Sequence, residues 1–318
     1  MRKIISPWIL TGVVALAATT VIAQTPKPTP ASAPSTATTG SAGADLALQV
    51  ELDRAGFSPG EIDGKAGSNT QKALAAYMES HKAPPVAGTT LQTYLITDED
   101  AAGPFVKVPE DMMEKSKLKV LGYSSLLEEV AERFHSSPAL ITSLNRGVRL
   151  AAGASIMVPN VAVMVAPPKP GAAAKAPADA AVAAKVVVSK GQSSLRVIDG
   201  SGVTIMYAPV TSGSEHDPLP IGVWAVNAVT RNPVFRYNPD LFWDADPTHS
   251  KATIPAGPNG PVGVVWIDLS KEHYGIHGSP EPGRIGYSQS HGCVRLTNWD
   301  ATRLAELVKK GTPVHFVE

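Results

Sequence analysis

The stretch Ser290-His291-Gly292-Cys293-Val294-Arg295-Leu296 holds the chain's single cysteine, with a histidine two residues before it and an arginine two residues after. Sixteen residues upstream of that thiol stands a second histidine, in Tyr274-Gly275-Ile276-His277-Gly278. A lone thiol can be an apolar filler, a metal ligand or a nucleophile, and filler is its usual fate. The setting here argues otherwise, because Ser, His, Gly and Arg are poor neighbours for a purely apolar role. Gly292 lets the backbone turn, or approach a ligand, where a Cβ would clash. An unpaired cysteine in an exported protein is also an oxidation hazard that asks for a reason.

Export is expected from the other end of the chain. Arg2 and Lys3 precede an apolar stretch from Ile4 to Ala23, and Val21-Ile22-Ala23 supplies a small-residue cleavage pattern, so 1–23 reads as a signal peptide. The competing reading is an uncleaved membrane anchor. Pro7 and the run Ala17-Ala18-Thr19-Thr20 count against it. No cysteine stands at the cleavage point to take a lipid, and one cysteine allows no internal disulfide. With 318 residues the chain suits two or three domains, and 28 basic against 28 acidic residues give no electrostatic case for a nucleic-acid partner.

Residues 24–43 are almost all Pro, Ala, Ser, Thr and Gly, a flexible tether. From 44 to 100 the pattern turns helical: Leu48, Leu52 and Ala55 share a face, and Ser68 with Gln71 predicts a capping box for a helix that buries Ala73, Leu74 and Tyr77. The segment from Gly56 to Leu74, GFSPGEIDGKAGSNTQKAL, resembles the small three-helix peptidoglycan-binding domain of wall enzymes, with Tyr77-Met78 where that family has Phe-Gln. In 101–165, Ser125–His135 and Pro138–Asn145 are expected as helices, followed by Ala154-Ser155-Ile156-Met157-Val158-Pro159-Asn160. This resembles a degenerate LysM module, a strand-helix-helix-strand fold that grips glycan strands. Residues 166–185 form a second Pro/Ala-rich linker. From 186 to 318 β-branched and aromatic runs dominate, such as Val186-Val187-Val188 and Val264-Val265-Trp266-Ile267, with one clear helix from Asn298 to Lys310 capped by Thr297. The fold class expected is therefore multidomain, with a mainly-β catalytic domain last.

The chemistry centres on the thiol. An unperturbed cysteine with a pKa of about 8.5 is mostly protonated at neutral pH, and an imidazole neighbour activates it. His277 and His291 are both candidates; His277, on a separate predicted strand, is preferred as general base. Backbone amides around Gly292 and Cys293 could form an oxyanion hole. Arg295 could hold a substrate carboxylate or make a structural ion pair. His273, His277, His291 and Cys293 carry enough ligand atoms for zinc, but Gly275 and Gly278 argue against the helix that the His-x3-His spacing would suit, so no metal and no cofactor is expected.

His277-Gly278, eleven residues, then SHGCVRL is similar to the L,D-transpeptidase (YkuD-like) family, in the branch with Arg at the position of Arg295. The resemblance covers about 186–318. It implies a β-sandwich-like catalytic domain and a cysteine acyltransferase of cell-wall biogenesis. Cys293 would attack the peptidoglycan tetrapeptide stem, release D-Ala and pass the acyl group to an amine. His277 would be the base, with the Gly278 carbonyl orienting its ring. Ser290, His291 and Gly292 would shape the oxyanion hole, and Ser290 and Arg295 would also meet substrate. The implied partners are stem peptides and glycan strands, with an envelope lipoprotein as one possible acceptor, and the implied place is the periplasm or cell envelope. Hydrolysis by the same site, as an L,D-carboxypeptidase or amidase, and a non-catalytic wall-binding protein are the alternatives. The motif does not encode the acceptor. Residues 186–318 are expected to carry the chemistry unaided.

Overall fold

A computed structural model of the chain describes residues 41–164 and 183–318. The expected signal peptide, nearly all of the first tether and most of the second linker lie outside the described residues. Among the described residues no helix is long and apolar enough to cross a membrane.

The N-terminal region opens with α1 (Ser41–Arg54) and α2 (Ser68–His81). The first helix starts inside the stretch read as a tether. The expected capping box at Ser68 does not form: Gly67 is the cap residue and makes no side-chain bond, while Ser68 is already helical. The amphipathic reading of α2 holds in part, with Ala73 buried and Leu74 and Tyr77 half-buried. Next come β1 (Leu91–Leu95), the short helices α3 (Asp98–Ala101) and α4 (Met112–Ser116), then α5 (Leu126–Arg133), α6 (Pro138–Leu144) and β2 (Ser155–Pro159). β1 and β2 pair antiparallel, so a strand from the 44–100 stretch joins the two helices and strand of 101–165. Local chemistry explains the helices: Asp111, Ser125 and Ser137 each accept a bond from a first-turn amide of α4, α5 and α6. Asn145 ties α6 to β2 by bonding the amide and the carbonyl of Met157.

The C-terminal region is mainly β, as expected. Its strands are β3 (Lys185–Ser189), β4 (Ser194–Ile198), β5 (Thr204–Pro209), β6 (Thr211–Ser212), β7 (Gly222–Arg231), β8 (Phe235–Tyr237), β9 (Ala252–Ile254), β10 (Val265–Leu269), β11 (Gly275–His277), β12 (Val294–Arg295) and β13 (Pro313–Val317), with α7 (Asn298–Leu307) before the last. Nine strands form one sheet in the order β5-β4-β3-β13-β7-β10-β11-β12-β6. The ten-residue β7 is the spine: its first half pairs with β13 and its second with β10. Residues from both wings, among them Val186, Val197, Ile267 and Val294, meet in one core with Leu304 of α7, so the sheet curls around a shared interior. Alternation drives this. Val186 and Val188 are buried while Val187 is not, and Ile267 is buried while Trp266 faces the other way. Thr297 caps α7 by accepting from the Asp300 amide, as the sequence predicts, although the helix stops at Leu307 rather than Lys310.

The two regions are packed together. Gly56 and Ser58 exchange backbone hydrogen bonds with Tyr207 on β5 (2.9 and 2.8 Å), and Phe57 packs with Tyr207 in a small core. The Ser58 hydroxyl donates to Asp300 (2.8 Å), and the Asn298 amide donates to Glu132 (2.8 Å), so both halves of the N-terminal region reach α7.

Candidate active site

One wing of the sheet has a core face and a cavity face. Ile267, Ile276 and Val294 point into the core. One residue along on each strand, Trp266, His277 and Arg295 stand side by side in register on the other face. Cys293 immediately precedes β12, and its side chain opens to the same cavity. All four line a cavity of about 880 Å³, together with His273, Tyr274 and His291.

His277 is buried, with its ring stacked on Trp266 (5.5 Å between centroids, 21° between planes). Its Nδ1 lies 2.7 Å from the Gly278 carbonyl, a pairing that requires the proton on Nδ1 and leaves the Nε2 lone pair free. Gly278 has no room for a side chain, since a Cβ would collide with Asn298 Oδ1. Burial, aided by the Arg295 charge and opposed by the Gly278 carbonyl, pulls the imidazole pKa down to about 4. At neutral pH it is an uncharged base.

Burial pushes the Cys293 thiol above its usual value, held back by a hydrogen bond from the Gly275 amide and by the Arg295 charge. Its sulfur also lies 3.8 Å from the His273 carbonyl. The resting pair is therefore a neutral thiol and a neutral imidazole. Deprotonation has to accompany attack, with His277 taking the proton.

The loop before Cys293 is fixed from within. Ser290 is buried; its hydroxyl donates to the Cys293 carbonyl (2.6 Å) and accepts from the Gly213 amide (2.7 Å). It does not line the cavity. Gly292 has φ +99°, and a Cβ there would sit 2.8 Å from the Tyr274 ring, so only glycine fits. His291 turns to the opposite wall: its Nε2 is 2.8 Å from Asp244, and Phe242 meets its ring edge-on (5.2 Å). Arg295 is partly enclosed, its Nε buried without a hydrogen-bond partner, and burial pulls its pKa down. Among the described residues Arg295 makes no ion pair. Of the four candidate zinc ligands, His277 and His291 have their partners already, and no group of three or more His, Cys, Asp or Glu among the described residues could hold a metal ion.

The sequence reading missed Trp266, Tyr274 and the wall formed by Asp111, Tyr237, Phe242, Asp244 and His249. Trp266 could have been found by register, since it falls on a predicted strand with Ile267 on its other face. The wall had no local signal.

The L,D-transpeptidase catalytic domain family, YkuD, matches residues 183–316. YkuD of Bacillus subtilis, an L,D-transpeptidase by name, is 51% identical over 57 residues, which are 18% of this chain and 35% of that protein. YqjB of Bacillus subtilis, named likewise, is 30% identical over 135 residues, 41% of this chain and 68% of that protein. YbiS of Escherichia coli is 43% identical over 67 residues, 21% of this chain and 22% of its own length. Among solved structures, L,D-transpeptidase 3 from Mycobacterium tuberculosis with a faropenem-derived adduct aligns at a TM-score of 0.35 and 20% identity, covering 42% of this chain and 59% of that one. The chain spans about a third of the Bacillus YkuD proteins.

Proposed function

Because the chain belongs to the YkuD family of L,D-transpeptidase catalytic domains, we propose that it is an exported cysteine L,D-transpeptidase of the cell envelope, acting on peptidoglycan tetrapeptide stems. One observation carries the reading: His277 and Arg295, paired on adjacent strands, and Cys293, just ahead of the second strand, line one cavity. His277 Nε2 removes the thiol proton as the sulfur attacks the carbonyl carbon that joins the stem's third residue to its terminal D-Ala. Amides around Gly292 and Cys293 receive the developing oxyanion. His277 returns the proton to the leaving D-Ala nitrogen, and an acyl-thioester remains on Cys293. An amine then attacks that thioester, His277 takes the proton the amine loses and passes it to the departing sulfur, and the thiol and the neutral imidazole are restored. Arg295 meets a carboxylate of the stem. Ser290, His291 and Gly292 hold the loop that presents the thiol.

The N-terminal region serves wall retention in this reading, the 44–100 segment by its likeness to peptidoglycan-binding domains and the 101–165 segment by its likeness to LysM. A signal peptide at 1–23 would deliver the protein to the periplasm, where the acceptor amine belongs to a second stem or to an envelope lipoprotein.

Mass spectrometry of purified disaccharide tetrapeptides incubated with the protein tests this. D-Ala release with cross-linked dimers is expected, and Cys293→Ala should abolish both. Tripeptide without dimers would replace the transferase by an L,D-carboxypeptidase. Turnover unchanged in Cys293→Ala would remove the assignment.

A further inference from the structure

The β8–β9 pair forms a sheet of its own, with no third strand beside it among the described residues. Three paired residues per strand are too few to stand in water without a packing face. That face comes from outside the catalytic domain. Val108, Met112, Leu118 and Leu121 of the N-terminal region pack around Tyr237 and Ile254 of the pair. Backbone bonds close the seam: the Leu121 amide donates to the Ala256 carbonyl (2.9 Å), and the Asn259 amide to the Leu121 carbonyl (3.0 Å).

Within the seam a polar chain runs along the cavity wall. Asp111 Oδ2 lies 2.8 Å from His249 Nε2, and His249 Nδ1 lies 2.9 Å from the Tyr237 hydroxyl. All three residues line the cavity that holds Cys293. The loop between Tyr237 and His249 also carries Phe242 and Asp244, the two side chains that meet His291 next to the thiol loop. Where this loop sits therefore sets the wall opposite Cys293.

We propose that Asp111 is a positioning residue of the catalytic site, supplied by the N-terminal region, which fixes the 235–254 segment over Cys293 through His249 and Tyr237. The word catalytic rests on the function proposed above; the mechanical tie does not. Asp111 has a second duty, since its Oδ1 caps α4 by accepting from the Glu114 amide (2.8 Å). Three substitutions in the full-length protein separate the two. Serine caps a helix but is too short to reach His249. Alanine does neither. Asparagine does both: its oxygen caps, its NH₂ donates to His249 Nε2, and the other imidazole tautomer donates to Tyr237. The side chain is 44% exposed, so global folding is not at stake.

Hydrogen exchange of the 235–254 segment, measured without substrate, and KM on a disaccharide tetrapeptide are the readouts. Asp111→Ser and Asp111→Ala should each speed exchange there by about fivefold or more while β10 and β11 stay protected. Both should raise KM by about threefold or more, and Asp111→Asn should stay within about twofold of the parent. Parent-like behaviour of Asp111→Ser would reduce Asp111 to a helix cap and overturn the proposal, as would Asp111→Asn loosened as far as Asp111→Ser. If the parent turned over no stem peptide, the function would fall, while the exchange measurement would still decide the tie.

Discussion

Arg295 is a partly buried cation with no ion pair among the described residues. Its Nε is buried without a hydrogen-bond partner among the described residues, so folding bears a desolvation cost that the Glu281 charge opposes only in part. Such a group is expected where an anion arrives later. Arg295→Met should lower kcat/KM by about tenfold or more, as lost charge-assisted bonds do. Melting temperature should hold or rise, because a partly buried unpaired charge is gone. The same substitution tests the electrostatics. Arg295 now restrains the upward push of burial on the Cys293 thiol and adds to the downward push on His277. Without it, the pH profile of Cys293 alkylation should move to higher pH. A drop in melting temperature with KM unchanged would mark Arg295 as structural instead. His277 gives a separate check. With its pKa near 4, the acid limb of kcat/KM should fall well below the range of an ordinary histidine. An acid limb at about 6.5 would mean that the free enzyme does not bury this ring as described.

At the scale of elements, α7 is where catalytic strands and N-terminal helices meet. Asn298, its first residue, donates to Glu132 of α5 and to the Pro258 carbonyl, accepts from the Val264 amide, and abuts Gly278, whose carbonyl holds His277. Glu132 is buried, and burial pushes its pKa up to about 8, eased by its bonds from Asn298 and Tyr123. The sign follows: between pH 4.5 and about 8 the folded protein keeps a proton that the unfolded chain has released. Stability contributed by this group is therefore whole below pH 4.5 and declines as pH rises toward 8. Glu132→Gln keeps an acceptor for Asn298 and removes the ionisation. It should gain on the parent between pH 5 and pH 8 by something on the order of 2 kcal/mol in urea unfolding. Parallel curves would show that Glu132 ionises freely. The legibility of the sequence divides along the same line. The Thr297 cap, the valine run of β3 and the SHGCVRL motif are set by neighbours in the chain, and they were readable. The Ser68 cap failed because Gly67 took the position one residue earlier. Glu132–Asn298 and Asp111–His249 join residues 166 and 138 positions apart, and no local pattern encodes such a pair.

For the molecule as a whole, the expectation that residues 186–318 carry the chemistry unaided has to face the packing. β5 is an edge strand of the nine-stranded sheet, and Gly56–Ser58 covers that edge with two backbone hydrogen bonds to Tyr207. Tyr207 is 1% exposed and shares a small core with Phe57, Ala73 and Ala76 of the N-terminal region. Asp300, with its pKa raised to about 6 by burial, would lose its bond from Ser58, and Asn298 its bond to Glu132. The β8–β9 pair would lose the face it rests on. An uncovered edge with an apolar ring beside it is a template for pairing between copies. The 183–318 fragment should therefore self-associate in light scattering and melt at least about 10 °C below the 41–318 protein, since several buried bonds and an apolar seam are lost together. Its turnover of soluble stem peptides should fall with it, and adding a separate 41–164 fragment should recover part of both. A monomeric 183–318 fragment with parent melting temperature and parent kcat/KM would return the N-terminal region to wall retention alone.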